Sequence, residues 1–143
     1  KSGILNNLNK SNFSNFDSYP DESIIKLATL ATKDDIFIIF PKYFTYYPLF
    51  AKYQDIEEKY FSSIRALVNT TDARVWSFYG RNNITEDENN FIDNGWHFKP
   101  HVSNIIFQEV LGDNPKDLNN QNGFLLTKEN LENYLSSITK DKS

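Results

Sequence analysis

The sequence predicts an α/β fold of three layers, in which helices cover both faces of a parallel sheet. Two short runs of largely apolar and aromatic residues, 36–40 and 73–78, have the length and composition of strands. Segments with apolar residues at helical spacing precede, separate and follow these runs. Strands that alternate with helices favour right-handed crossovers, and hence a parallel sheet.

The first predicted helix begins at Pro20 and Asp21, after a polar arm or lead-in formed by residues 1–19. Proline suits the first helical position because its missing N–H would have no partner there. The acid lies at the positive end of the helix dipole. Asp34 and Asp35 are predicted to end the helix. Its apolar face consists of Ile24, Ile25, Leu27, Ala28 and Ala31.

The two strands and the helix between them form the predicted centre of the fold. Residues 36–40 are apolar at every position, which is typical of a strand buried on both faces, and Pro41 ends the run. A tyrosine-rich loop follows. Residues 49–69 then show the periodic apolar face of an amphipathic helix. The second strand, 73–78, comes after a short turn.

The last third of the chain predicts two more helices. Polar residues 80–90 predict a long loop. A helix is predicted from near Pro100 through Leu111, and residues 123–126 predict a short extended segment. Thr127 is of a type that caps helices, and it precedes the last periodic segment.

Two strands are too few for this fold, because a sheet usually needs at least three to be stable. We therefore expect residues 20–143 to form the C-terminal part of a domain whose remaining strands lie in an N-terminal part of the same protein. A further strand within residues 1–20 is the alternative. The first residue, Lys1, and the absence of methionine favour a fragment or a processed product.

The composition excludes several classes of function. The chain has no cysteine, so disulfides, thiolate metal sites and a cysteine nucleophile are excluded. The net charge is -4 and no basic stripe is present, which argues against nucleic-acid binding. The longest apolar run, 36–40, is too short to cross a bilayer, so a membrane anchor is expected only outside this chain.

Asp93 and His97 form the main candidate for chemistry. An acid close to a histidine can hold the imidazole in one tautomer and stabilise the imidazolium that forms when the ring takes a proton. Gly95 lies between them and lets the backbone double back. The segment follows a predicted strand, so it should reach the carboxyl edge of the sheet, where α/β folds bind ligands. The alternative is a surface histidine at a helix start.

Several short stretches together resemble a known family. They are Val-Trp-Ser-Phe at 75–78, Ile-Thr at 84–85, Asn-Phe-Ile-Asp at 90–93, Gly-Trp-His-Phe at 95–98 with Pro100, and the ending from Gly123 to Leu135. These stretches resemble the C-terminal block of SGNH/GDSL-type hydrolases, in the bacterial cell-envelope branch related to polysaccharide esterases and acyltransferases. That block carries an Asp and a His in the pattern D-x-x-H. The resemblance covers about residues 20 to 138.

The resemblance implies a three-layer, SGNH/flavodoxin-like fold and a Ser–His–Asp site with His97 as the general base. It implies O-acyl groups of a cell-envelope polysaccharide as the substrate and an extracytoplasmic location. Two departures matter. Strict D-x-x-H spacing places Asn94, not Asp93, at the acid position, so either residue is a candidate to orient His97. The nucleophilic block Gly-Asp-Ser is missing from this chain, and Ser103 is expected to be packed or solvated.

The missing serine leaves two functional predictions. In the first, the chain is a fragment of an esterase or acyltransferase, inactive alone, whose serine lies in the N-terminal remainder of the same protein. In the second, the domain is SGNH-like but serves binding or assembly without catalysis. Asn94 at the acid position and the missing serine both favour the second.

Tyr43, Tyr46 and Tyr47 are the candidate substrate-binding residues. Tyrosine offers a flat face and a hydroxyl, which suits a sugar or an acyl group. Aromatic packing at a junction of loop and helix is the alternative. His101 follows His97 by four residues, and both could bind zinc with Asp93 if the helix already begins at His97. The pair lacks the glutamate of the His-Glu-x-x-His zinc motif, so no metal and no other cofactor is predicted.

Overall fold

The computed structural model describes residues 22–46, 54–95, 97–112 and 122–140. The helices are α1 (Glu22–Leu30), α2 (Gln54–Thr70), α3 (Asn83–Glu86), α4 (Pro100–Leu111) and α5 (Leu131–Lys140). The strands are β1 (Ile36–Ile39), β2 (Arg74–Ser77), β3 (Phe91–Ile92), β4 (His97–Phe98) and β5 (Phe124–Leu126). Short 3-10 segments lie at Phe44–Tyr46, Glu88–Asn90 and Asp93–Gly95.

The main sheet has the strand order β1-β2-β5 among the described residues. β1 and β2 are parallel, with Ile36 paired to Arg74 at one end and Ile39 to Ser77 at the other. β5 is antiparallel to β2, and Phe124 pairs with Ser77. The fold is therefore α/β with a small mixed sheet, not the wholly parallel sheet predicted.

Two clusters of buried side chains lie on opposite faces of this sheet, because successive strand residues point to opposite sides. On one face, Val75 packs with apolar side chains of α1, α2 and α5. On the other face, Trp76 packs beside residues of α4, with Val102 and Ile106 fully buried. Each large apolar side chain removed from water in this way contributes about 1.5–3 kcal/mol.

Several predicted elements are confirmed. α4 has the predicted bounds, Pro100–Leu111. Both predicted strands and the extended segment 123–126 are present, each shorter by one or two residues. The polar arm 1–19, the helix start at Pro20 and Asp21 and the predicted helix start at 49 lie outside the described residues.

Two local predictions are wrong, and the alternative of a histidine at a helix start does not hold. The first helix ends at Leu30 rather than at Asp34 and Asp35, because the carboxylate of Asp35 accepts hydrogen bonds from the backbone N–H and hydroxyl of Thr32 and closes a turn. The presumed loop 80–90 contains α3, which Asn82 caps through a reciprocal pair of hydrogen bonds. His97 lies in strand β4, not at a helix start. None of the described helices has both the length and the apolar composition needed to cross a membrane.

Candidate functional site

A two-stranded hairpin, β3 and β4, carries the candidate acid and histidine. Phe91 pairs with Phe98, and Ile92 pairs with His97. Phe91 is buried and Phe98 partly buried, both against the cluster beside α4. Since side chains alternate across a strand, Ile92 and His97 point away from that cluster, and both are exposed. The hairpin thus holds the imidazole at the surface on a backbone anchored by two phenylalanines.

The turn Asp93–Gly95 brings the carboxylate back to the imidazole. Asp93 Oδ2 lies 3.1 Å from His97 Nδ1. Asp93 has a positive φ of 51°, a left-handed conformation that aspartate tolerates better than most residues. With the Nδ1–H donating to the carboxylate, Nε2 of a neutral ring is left as a proton acceptor. The side chains are 67% exposed for Asp93 and 64% for His97.

The structure therefore brings the carboxylate of Asp93 to the imidazole of His97, with one residue more between them than D-x-x-H spacing has. The extra residue is accommodated by the left-handed turn. The side chain of Asn94 lies outside what the structure describes. Within the described ranges, no serine hydroxyl is hydrogen bonded to His97, and Ser103 is half-buried on α4.

Tyr43 positions the hairpin at the carboxyl end of β1. Its backbone N–H donates to the carbonyl oxygen of Gly95 at 3.4 Å. Gly95 has a φ of 94°, and a Cβ added there would lie 2.6 Å from the Cβ of Tyr43. The ring of Phe40, also just after β1, packs on Phe98 with centroids 5.4 Å apart. These contacts place the hairpin at the edge of the sheet where the parallel strands end.

The tyrosine ring itself is a packing group. Tyr43 lies 5.2 Å from the ring of Phe44 and 5.6 Å from that of Phe91. Burial raises the pKa of the Tyr43 phenol, and the carboxylates of Glu88 and Asp87 raise it further because they disfavour a second negative charge. The side chain of Tyr46 and the whole of Tyr47 lie outside the described residues.

The neighbouring Lys42 was not predicted as a site residue. It is half-buried at the same edge, and desolvation lowers the pKa of its ammonium group. The apolar and aromatic residues around it gave no sign of this in the sequence.

The second histidine supports the base of the hairpin. His101 Nε2 lies 2.8 Å from Asn90 Oδ1. The side-chain nitrogen Nδ2 of Asn90 donates to the backbone carbonyl of Ile84, and the backbone carbonyl of Asn90 accepts from the N–H of Lys99 at 2.8 Å. His101 is in the first turn of α4 and His97 is in a strand, so the two do not share a helical face. In the parts of the chain that the structure describes, no three metal-ligating side chains form a group.

No family model, curated protein or solved structure matches this chain.

Proposed function

We propose that this chain is the C-terminal part of an SGNH-like esterase or acyltransferase. Its substrate is an O-acyl group on a cell-envelope polysaccharide. His97 is the general base and Asp93 orients it. The nucleophilic serine lies in the N-terminal remainder of the same protein. The observation that carries the proposal is the 3.1 Å contact between Asp93 Oδ2 and His97 Nδ1 at the carboxyl edge of the sheet.

The geometry fits the roles that acyl transfer needs. Nε2 of His97 accepts the proton of the serine hydroxyl as the oxygen attacks the ester carbonyl, and later returns it to the departing alcohol. Asp93 stabilises the imidazolium between these two transfers. The oxyanion is held by residues outside this chain. Water, or a hydroxyl of an acceptor, then releases the acyl group by the same steps.

The edge of the sheet at β1 supports the proposal that further strands lie outside this chain. Of the described strands, only β2 pairs with β1, so the other edge of β1 has no partner among the described residues. All four residues of β1 are apolar and only partly buried. A strand buried on both sides normally has a run of this kind. We place the further strands of a three-layer SGNH-like arrangement beside this edge, parallel to β1.

The upstream gene sequence is the first test. The proposal expects a Gly-Asp-Ser-like block that follows a strand and precedes this chain. An open reading frame without such a block would refute the catalytic version.

The longer protein then tests the roles of the two residues. With p-nitrophenyl acetate as the probe, His97→Ala and Asp93→Asn should each lower kcat at least ~100-fold, the usual contribution of general acid–base catalysis. His101→Gln is the matched control, because glutamine removes the second imidazole but keeps an N–H donor for Asn90 Oδ1 at the base of the hairpin, and it should leave kcat within about twofold. Equal losses in all three variants would contradict the roles assigned.

A non-catalytic binding or assembly domain is the second candidate function. It is favoured by the exposure of the pair, since solvent screens an ion pair whose members are both about two-thirds exposed. A longer protein that has the Gly-Asp-Ser block, binds polysaccharide and hydrolyses no ester would support this candidate over the first.

A further inference from the structure

A polar cavity lies at the carboxyl end of β2. Here a cavity of about 220 Å³ opens between the segment after β2, the start of β5 and the last helix, α5. Its lining includes four polar side chains and one exposed aromatic ring, those of Arg81, Asn83, Asn122, Ser137 and Phe124. Ligand sites for drug-sized molecules measure about 300–1,000 Å³, so this cavity has room for a smaller molecule.

Phe124 provides an apolar surface in this otherwise polar lining. One side of its ring packs on Tyr134, with centroids 5.4 Å apart and an interplanar angle of 42°. The residue is nevertheless 58% exposed. A large aromatic ring that is held in place yet open to solvent can receive the C–H face of a ligand ring.

Asn122 forms a fixed part of the cavity wall. Its amide nitrogen donates to a carboxylate oxygen of Glu109 at 3.3 Å, and the next N–H, that of Gly123, donates to the other oxygen at 2.7 Å. Because a carboxylate only accepts, the amide nitrogen must face Glu109. The opposite atom, Oδ1, is buried and has no hydrogen-bond partner among the described residues. Because Oδ1 is closed off from solvent, Asn122 forms part of the wall of the cavity, held there by Glu109.

The charge of the lining favours a neutral ligand. Arg81 is the one ionised residue among the described residues that line the cavity. Its Nε donates to a carboxylate oxygen of Glu86 at 2.9 Å, and its guanidinium lies 5.2 Å from the centroid of the Phe44 ring. That charge is thus compensated, and an anionic ligand would lose water without gaining an unpaired cation.

We infer that this cavity binds a single neutral sugar ring. The exposed amide of Asn83 meets the ring hydroxyls, the oxygen of Ser137 accepts from one of them while its own hydrogen bonds to the carbonyl of Tyr134, and Phe124 takes the apolar face of the ring. Contacts from Arg81 to Phe44, Phe44 to Tyr43 and Tyr43 to Gly95 join the cavity to the hairpin of Asp93 and His97.

The inference deepens the proposed function, because it supplies a subsite for the saccharide that carries the acyl group. It rests on that function only for the link to acyl transfer. Sugar binding itself needs neither a serine nor an ester, so sugar binding can fail while acyl transfer is confirmed, and the reverse.

An NMR titration of the ¹⁵N-labelled chain tests the site with methyl glucoside and N-acetylglucosamine as neutral probes and glucuronate as the charged comparison. The neutral probes should shift the amide signals of Gly80, Asn83 and Gly123, with a Kd on the order of 1 mM. Glucuronate should bind at least about fivefold more weakly because its charge is desolvated without compensation.

Matched phenylalanine variants locate the site. Phe124→Ala should raise the Kd about fivefold, the loss expected for one aromatic contact. Phe107→Ala is the control, since Phe107 is 49% exposed on α4 and does not line the cavity. Asn83→Ala provides a second, exposed test position if Phe124→Ala disturbs the fold. Absence of shifts at the cavity amides, equal affinity for glucuronate, or equal weakening by Phe107→Ala would each overturn the inference.

Discussion

Replacement of Gly95 by alanine should destabilise the protein by about 2–5 kcal/mol, and two separate terms produce this figure. The backbone of Gly95 has a φ of 94°, and a left-handed conformation costs a residue with a Cβ about 1–2 kcal/mol. The new Cβ would also lie 2.6 Å from the Cβ and 2.8 Å from the Cδ1 of Tyr43. Relief of such an overlap in a packed site costs about 1–3 kcal/mol.

Gly80→Ala separates the two terms. Gly80 has a similar φ of 100°, but its nearest neighbour to an added Cβ is Cγ1 of Ile138 at 3.4 Å, which is an ordinary contact. This variant should therefore lose only the backbone term, about 1–2 kcal/mol. Urea unfolding measures the free-energy loss of each variant. In a thermal melt, each kcal/mol lost should lower Tm by about 2–4 °C in a chain near this size.

The comparison has a clear refutation. If Gly95→Ala is no more destabilising than Gly80→Ala, the close approach of Tyr43 does not position the hairpin, and the argument that places His97 at the carboxyl edge of β1 fails. The expected excess for Gly95→Ala should appear together with changes in the imidazole ¹⁵N signals of His97, because the turn sets the distance to Asp93.

Three further predictions concern stability. Tyr134→Phe removes a hydroxyl that donates to the carbonyl of Tyr79 at 2.5 Å, and the buried acceptor left behind should cost about 1–3 kcal/mol in urea unfolding; a loss below the error of the measurement would contradict this. Asn82→Ala removes the cap of α3 and should lower the free energy of unfolding by about 1–2 kcal/mol. Asn83→Ala, at the exposed neighbouring position, should lower it by almost nothing, and similar losses in the two variants would refute the capping role. Hydrogen bonds from Arg65 hold the pKa of Glu132 below its usual value of 4.5, so its contribution to stability is complete above pH 4.5 and is lost as the pH falls through the lower folded value. Glu132→Gln should therefore be less stable than the parent at neutral pH and lose less on acidification, and an unchanged pH slope in urea unfolding would refute this.

The large elements of the fold were predictable because each has enough residues to show a period or a run. α4 repeats apolar residues over three turns, and the proline at its start marks the boundary. Residues 36–39 form an unbroken apolar run. The direction of β5 was not predictable, because three residues carry no sign of whether a strand pairs parallel or antiparallel.

The hairpin could not be predicted for a similar reason. β3 and β4 have two residues each, too few for alternation to be visible. A glycine between an acid and a histidine did indicate that the chain doubles back there. The position of Tyr43 depends on a tertiary contact with Gly95, and no local pattern encodes a contact across about fifty residues of sequence. The cavity beside Phe124 depends on the same kind of long-range contact.

The exposure of Asp93 and His97 bears on what the proposed enzyme still requires. Charges in a water-excluded site interact far more strongly than charges in solvent, and much of the catalytic effect of a carboxylate–histidine pair depends on that difference. At about two-thirds exposure the pair holds the imidazole tautomer but gains little from electrostatics. In the proposed enzyme, the segment that brings the serine to Nε2 would also cover the hairpin, and Ile92, exposed beside His97, would offer it an apolar contact. In the proposed enzyme the same segment therefore supplies the nucleophile and removes water from the pair. Asp93 and His97 should therefore raise the rate of acyl transfer only when that segment is docked on the hairpin.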